Sequence, residues 1–226
     1  MNTIGIIFDL DGVIVDTAKY HFLAWKRLAD DLGFEFTEAH NELLKGVSRV
    51  RSLEILLEIG KVQLSEAEKQ SILISKNEHY LTYITKMGAD EILPGVEAFL
   101  DTLDALGIQY VLGSASKNAP LILKQVGLFS RFKGIVDGNS VSKAKPDPEV
   151  FLIGAQKLKL PPKQCVVFED AIAGIEAAKR ANMISVGIGD KETLSEADYI
   201  FNSFTEIGSN FLQELINRTE KQEQRL

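Results

Sequence analysis

The sequence predicts an α/β fold: a Rossmann-like parallel sheet core with an inserted all-helical domain. Three observations lead there. Short apolar runs of strand length recur at residues 4–8, 108–112, 135–136, 165–168, 184–188 and 199–201. Helical patterns separate most of them, and strand alternating with helix implies a parallel sheet covered on both faces. Residues 17–90 break the alternation, with helical periodicity throughout and no clear strand run.

The first run ends at Phe8 and is apolar at successive positions, as in a strand buried on both faces. In the insertion, Phe22, Trp25, Leu28, Ala29 and Leu32 mark one amphipathic helix. Thr37 can cap a second. Leu53, Leu56 and Leu57 belong to a third that ends at Gly60, and Ser65-Glu66-Ala67-Glu68 is a capping box opening a fourth. Residues 96–106 then form a helix with Phe99, Leu100, Leu103 and Leu106 on one face and Gly107 as its stop. Asn118 can cap a helix running to Val126, with Pro120 in its first turn and Gly127 ending it. Pro148 opens another, and residues 172–181 form one more. From Asn217 the chain is polar and is expected to fray. The division is therefore 1–16 and 91–226 for the α/β core and 17–90 for the helical insertion, with crossings near 15–18 and 88–94.

Composition narrows the function. With 226 residues, 45% of them hydrophobic, the chain can bury a sizeable core. A net charge of −7 argues against nucleic acid or an anionic membrane as main partner. No apolar stretch approaches the roughly 18 residues that span a bilayer, and the first residues lack the pattern of a signal peptide. The single cysteine, Cys165, excludes an internal disulfide and fits a reducing cytosol. A cytoplasmic monomer is expected.

In open parallel sheets, ligands bind at the carboxyl ends of the strands. Asp9 and Asp11 follow the first predicted strand, Ser114 and Ser116 the second, Lys145 the third, and Glu169 and Asp170 the fourth. Each alone has an ordinary explanation: a turn, a helix cap, a solvated lysine, charge at a helix N-terminus. Their recurrence just past four strands points to one site. A calcium loop counted from Asp9 puts Ile14 where glycine is required and Tyr20 where glutamate is required. There is no Walker loop, and Gly187-x-Gly189 lacks the third glycine of a dinucleotide fingerprint. Clustered carboxylates that need a cation, a lysine and hydroxyl donors suit phosphoryl transfer with Mg2+. A carboxylate, ionised at pH 7 when unperturbed, is the natural nucleophile. Cys165 reads as strand core.

These residues resemble the haloacid dehalogenase superfamily of phosphotransferases: "FDLDGV" is similar to its first motif, "GSAS" its second, Lys145 its third and "FEDA" its fourth. Helices inserted after the first motif resemble that family's first cap class. The resemblance implies Asp9 as nucleophile, Asp11 as general acid/base, and Ser114 and Lys145 holding the transferring phosphoryl. It implies Mg2+ held by Asp9, Asp11 (through its backbone carbonyl), Asp170 and Glu169. The dehalogenase branch lacks the second aspartate, so Asp11 puts this chain with the phosphoryl-transfer branches. "DTAKYHFLAWKRLA", "LKGVSRVRSLE" and "SASKN" further resemble the sugar-phosphate mutases of the superfamily. That similarity implies a substrate site at Thr17, His21, Trp25, Lys45, Gly46, Val47, Arg49, Ser52, Lys76, Ala115, Ser116, Lys117 and Asn118, with Arg49 in a loop between two cap helices. It implies interconversion of beta-glucose 1-phosphate and glucose 6-phosphate, with a sugar-phosphate phosphatase or a non-catalytic sugar-phosphate binding protein as alternatives.

Overall fold

The computed structural model describes residues 4–208 and 210–223. β1 (Gly5–Phe8) is followed by four helices: α1 (Ala18–Asp31), α2 (Glu38–Glu42), α3 (Arg49–Gly60) and α4 (Glu66–Ile84). The chain then alternates: α5 (Val96–Ala105), β2 (Tyr110–Gly113), α6 (Ala119–Gln125), β3 (Ile135–Val136), α7 (Glu149–Leu158), β4 (Cys165–Glu169), α8 (Ile172–Arg180), β5 (Ile184–Ile188), β6 (Tyr199–Phe201) and α9 (Phe211–Glu223). The six strands form one sheet in the order β3-β2-β1-β4-β5-β6, and all its pairings are parallel.

Alternation along β1 sorts the core. Ile6 and Phe8 point to one face, where Phe8 meets the rings of Phe99, Tyr110, Phe132, Phe168 and Phe204. Ile7 points to the other, against Phe151 and Leu158 of α7 and Ala177 of α8. Both faces are covered, which is why the strands read as unbroken apolar runs. The inserted helices have a core of their own, built from Trp25, Ala29, Phe36, Leu53, Leu56 and Leu57. The two crossings lie side by side: Val15 bridges Ile92 antiparallel, and Asp16 N–H donates to the Glu91 carbonyl at 3.0 Å. The Glu91 carboxylate takes the Lys19 ammonium at 2.7 Å and the Tyr20 hydroxyl, tying the start of α1 to the return crossing. No helix of the described residues is long and apolar enough to cross a membrane.

Four local expectations need correction. Thr37 and Ser65 cap α2 and α4 as read, both in capping boxes. Asn118 occupies the N-cap of α6 but its side chain does not cap it; the amide is used elsewhere, as shown below. Arg49 is the first residue of α3 rather than a loop residue, because Ser48 Oγ accepts from Arg51 N–H at 3.3 Å and starts the helix one residue before it. Leu106 falls at the C-cap of α5 and is 49% exposed, past the turn that packs on the core. Fraying from Asn217 is overturned: α9 runs to Glu223, anchored through buried Phe211, Leu212 and Leu215; residues 224–226 lie outside the described residues.

Candidate active site

The strand order reverses between β1 and β4, the position where such sheets open a crevice beyond their carboxyl ends. The register sets Phe8 beside Phe168, so Asp9 and Glu169 leave the sheet together, and Asp9 N–H donates to the Phe168 carbonyl at 2.9 Å. Leu10 O then accepts from Ile14 N–H and Val15 N–H, folding residues 10–15 into a tight loop. Gly12 lies at φ +77, and a Cβ there would stand 2.1 Å from Asp170 Oδ2, so only glycine lets the loop close over that carboxylate.

The centre of the site is an ammonium between two carboxylates. Lys145 Nζ lies 2.6 Å from Asp9 Oδ1 and 2.7 Å from Glu169 Oε1, with all three residues buried. Glu169 Oε2 accepts from Asp170 N–H at 2.7 Å and Ala171 N–H at 3.0 Å, which uses its other oxygen. Asp9, Glu169 and Asp170 each place a carboxylate oxygen within 4.8 Å of the others. Lys145 alone cannot balance three carboxylates. Burial, with Glu169 and Asp11 adding to it and Lys145 opposing, pushes Asp9 up to about 8. Burial and the charges of Glu169 and Asp9 hold Asp170 well above the ordinary carboxylate range. Buried hard oxygen donors with a charge deficit fit a divalent cation of the Mg2+ type.

Asp11 points away from that cluster. Its Oδ1 accepts from Thr17 Oγ1 at the start of α1 and lies 3.9 Å from His21 Nε2. Burial raises its pKa, and the Thr17 hydrogen bond and the lysine charges oppose the rise. His21 Nδ1 is 3.3 Å from Lys76 Nζ, which sits over the Trp25 ring at 4.2 Å. Burial and the Arg49 charge bring Lys76 down to about 7. Burial and the Lys76 charge lower His21 well below its usual value. On the core side, Ser114 is fully buried and its Oγ accepts from Ser116 N–H at 3.0 Å; Ser116 Oγ in turn accepts from Asn118 N–H at 3.2 Å.

One cavity of about 1010 Å³ collects these groups. Asp9, Asp11, Ser114, Lys145 and Asp170 line its floor. Thr17, His21, Trp25, Lys45, Gly46, Val47, Arg49, Ser52 and Lys76 line it from the inserted helices, and Ala115, Ser116, Lys117 and Asn118 line it from the loop after β2. Glu169 alone among the sequence-derived site residues is not on its wall; it lies behind Lys145 with 0% exposure. Gly46 lies at φ +71, and a Cβ there would come 2.6 Å from Ala171 Cβ, so the loop before α3 touches the core at the start of α8. The sequence reading missed Asn77 and Tyr80 on this wall. Tyr80 lies four residues after Lys76 on the same face of α4, so helical spacing was an available signal for it; Asn77, the next residue after Lys76, had no such signal.

Four matches to known proteins bear on this geometry. The model of a haloacid dehalogenase-like hydrolase family matches residues 5–182. A beta-phosphoglucomutase of Bacillus subtilis is 41% identical over 93% of this chain and 94% of its own. A phosphorylated carbohydrates phosphatase of Thermotoga maritima is 28% identical over 94% of this chain and 99% of its own. The crystal structure of a beta-phosphoglucomutase from Clostridium difficile superposes with a TM-score of 0.89 at 41% identity, covering 95% of this chain and 97% of that one.

The buried triad gives a stability prediction. Replacing Lys145 with Met leaves Asp9 and Glu169 without their cation, a change that costs roughly 3 to 5 kcal/mol when the carboxylates stay charged. Acids whose folded pKa is raised lose stability as pH climbs from the unfolded value through the folded one. The destabilisation of Lys145→Met in metal-free buffer is therefore larger at pH 8 than at pH 5. Urea melts at both pH values measure it, and an equal loss at the two contradicts the charge account.

Proposed function

The chain belongs to the haloacid dehalogenase-like hydrolase family, and from that membership we propose that it is a beta-phosphoglucomutase, interconverting beta-D-glucose 1-phosphate and glucose 6-phosphate through an aspartyl-phosphate on Asp9 and beta-glucose 1,6-bisphosphate. The observation that supports the proposal is one cavity lined by Asp9, Lys145 and Ser114 and also by Arg49 from the inserted helices and Ser116 and Asn118 from the core, which we read as two poles for phosphate. A hydrolase acting on one phosphate needs only the first pole. A mutase must hold a second phosphate while transferring the first.

In this reading Asp9 is the nucleophile and Lys145 holds its carboxylate on the sheet side. Lys145 and Ser114 receive the oxygens of the transferring phosphoryl. Asp11 takes the proton from the attacking sugar hydroxyl and returns it to the leaving oxygen. In this structure the Thr17 hydroxyl holds Asp11 aside. Asp9, the backbone carbonyl of Asp11, Asp170 and Glu169 would hold Mg2+, which when bound neutralises charge on the carboxylates and the phosphoryl oxygens. Glu169 is the least free of these, since Lys145 and two backbone N–H groups already occupy it. Arg49, Ser116, Lys117 and Asn118 grip the distal phosphate, a guanidinium fork being suited to its oxygens. Lys45, Gly46, Val47, Ser52, His21, Trp25, Lys76, Thr17 and Ala115 surround the sugar. Residues 17–90 act as a cap over a core of 1–16 and 91–226, and closure keeps water from the aspartyl-phosphate. A cytoplasmic monomer working on a small sugar phosphate, with neither nucleic acid nor membrane as partner, is part of the same proposal; the net charge of −7 argues against nucleic acid and an anionic membrane.

A turnover assay with beta-glucose 1-phosphate and Mg2+ is the test. Glucose 6-phosphate as the main product supports the mutase; free phosphate points to a phosphatase, and no product to a binding protein. Asp9→Asn is expected to abolish both turnover and phosphoenzyme formation from acetyl phosphate, and ordinary turnover in that variant removes Asp9 from the mechanism. Asp170→Ala raises the Mg2+ concentration needed for half-maximal activity; an unchanged Mg2+ titration refutes the metal site. Arg49→Ala loses a charge-assisted contact worth roughly 1.5 to 3 kcal/mol, or about 10- to 100-fold in affinity for a distal phosphate. Phosphorylation by acetyl phosphate survives in that variant, and the ratio of phosphate released to glucose 6-phosphate formed rises. A ratio unchanged from wild type counts against the outer pole.

A further inference from the structure

Asn118 raises a question that the phosphate sites do not answer. It stands at the N-cap of α6, where an asparagine side chain ordinarily accepts from the helix's first N–H groups, yet it makes no such bond. Its Nδ2 instead donates to Asn77 Oδ1 at 3.0 Å, across the boundary between the inserted helices and the core. Both residues are half-buried and line the cavity. A second bond joins the same two helices, from Gln125 Nε2 to the Thr85 carbonyl at 2.9 Å, so α4 and α6 are held together at both ends of their contact.

An asparagine amide has a donor end and an acceptor end of nearly equal shape, and nothing in its own packing distinguishes them. A phosphate oxygen discriminates absolutely: the NH2 end attracts it and the carbonyl end repels it. By accepting one N–H, Asn77 Oδ1 fixes the donor end of Asn118 toward α4 and leaves the second N–H of the same planar group for another acceptor in the cavity. Lys76, the residue before Asn77, is buried and held over Trp25 and Tyr80, which fixes this turn of α4.

We propose that Asn77 is a positioning residue: it orients the Asn118 amide so that a donor faces the distal phosphate, and it couples that phosphate site to the cap. The inference rests on the outer phosphate pole of the proposed function and adds a residue to it. Asn77 does not touch the reacting atoms, so its loss acts on binding rather than on transfer.

The test is a double-mutant cycle on Asn77→Ala and Asn118→Ala, read by steady-state kinetics with beta-glucose 1-phosphate and by phosphoenzyme formation from acetyl phosphate, which has no distal phosphate. Asn77→Ala is expected to raise KM about 3- to 10-fold, the worth of one neutral hydrogen bond, with kcat changed much less. In the Asn118→Ala background the same substitution should add almost nothing, because there is no amide left to orient. Phosphorylation by acetyl phosphate should match wild type in Asn77→Ala, which also shows that it is folded, and thermal melts report the folding of the two variants that carry Asn118→Ala. An unchanged KM in Asn77→Ala, or effects that multiply in the double variant, overturns the role given to Asn77 alone. An unchanged KM in Asn118→Ala overturns the outer phosphate pole itself, and the inference with it.

Discussion

Everything at this site depends on one ammonium shared by two buried carboxylates. Taking a carboxylate or an ammonium out of water costs several kcal/mol even after relaxation. The triad of Lys145, Asp9 and Glu169 is tolerated because each charge faces an opposite one at 2.6 to 2.7 Å and Glu169 gains two backbone N–H donors at the start of α8. The compensation is incomplete by design of the topology. β1 and β4 are neighbours, so their ends deliver Asp9, Glu169 and Asp170 to one point, while the loop after β3 delivers one lysine. The residual deficit shows in Asp9, pushed up to about 8, and in Asp170, held well above the ordinary carboxylate range. The same deficit that makes the ligand-free site costly is what gives a cation its affinity there.

The opposite wall of the cavity has the mirror-image problem. Lys76 is buried above Trp25 and comes down to about 7, and burial lowers Arg49 from its usual value too. Both are short of negative partners. In the proposed outer site a phosphate between Arg49 and Asn118 supplies an anion that pairs with the Arg49 guanidinium and favours the charged form of Lys76. Floor and roof are thus each unstable alone, and a sugar phosphate with a metal satisfies both. Binding then favours the arrangement in which the helices and the sheet are closest, which is also the arrangement that excludes water from Asp9.

The fold was legible because strands covered on both faces leave unbroken apolar runs: three of the six runs read from the sequence coincide with β3, β5 and β6, and the other three match β1, β2 and β4 within two residues at either end. The site was legible because its residues stand at strand ends, where position in the chain and position in space are tightly linked. Asn77 and Tyr80 were not, since they act from the middle of a helix whose spacing equally suits core packing. The Asn118 side chain misled for a related reason: capping is a local rule, and a partner 41 residues away won the amide. Arg49 was misplaced because Ser48, four residues before Ser52 in a polar stretch, gave no apolar periodicity to announce a helix start. The fate of the segment after Asn217 turned on Leu215, whose burial carries the backbone of α9 onward through residues that look unattached in sequence.

A mutase of this kind must open to let its bisphosphate turn around and close again before water attacks, and the crossings between cap and core set how that motion is absorbed. They are not loose linkers. Val15 and Ile92 are bridged, Asp16 and Leu93 bond to the partner crossing, and Glu91 gathers Lys19 and Tyr20 onto the first turn of α1. Paired crossings of this kind suit a rotation about a narrow hinge, with α1 attached directly to it. Asp11 and Thr17 lie beside that hinge, and the Thr17 hydroxyl donates to the Asp11 carboxylate. In the proposed mechanism Thr17 moves with α1, so a closing rotation would free Asp11 from the Thr17 hydroxyl as it excludes water from Asp9.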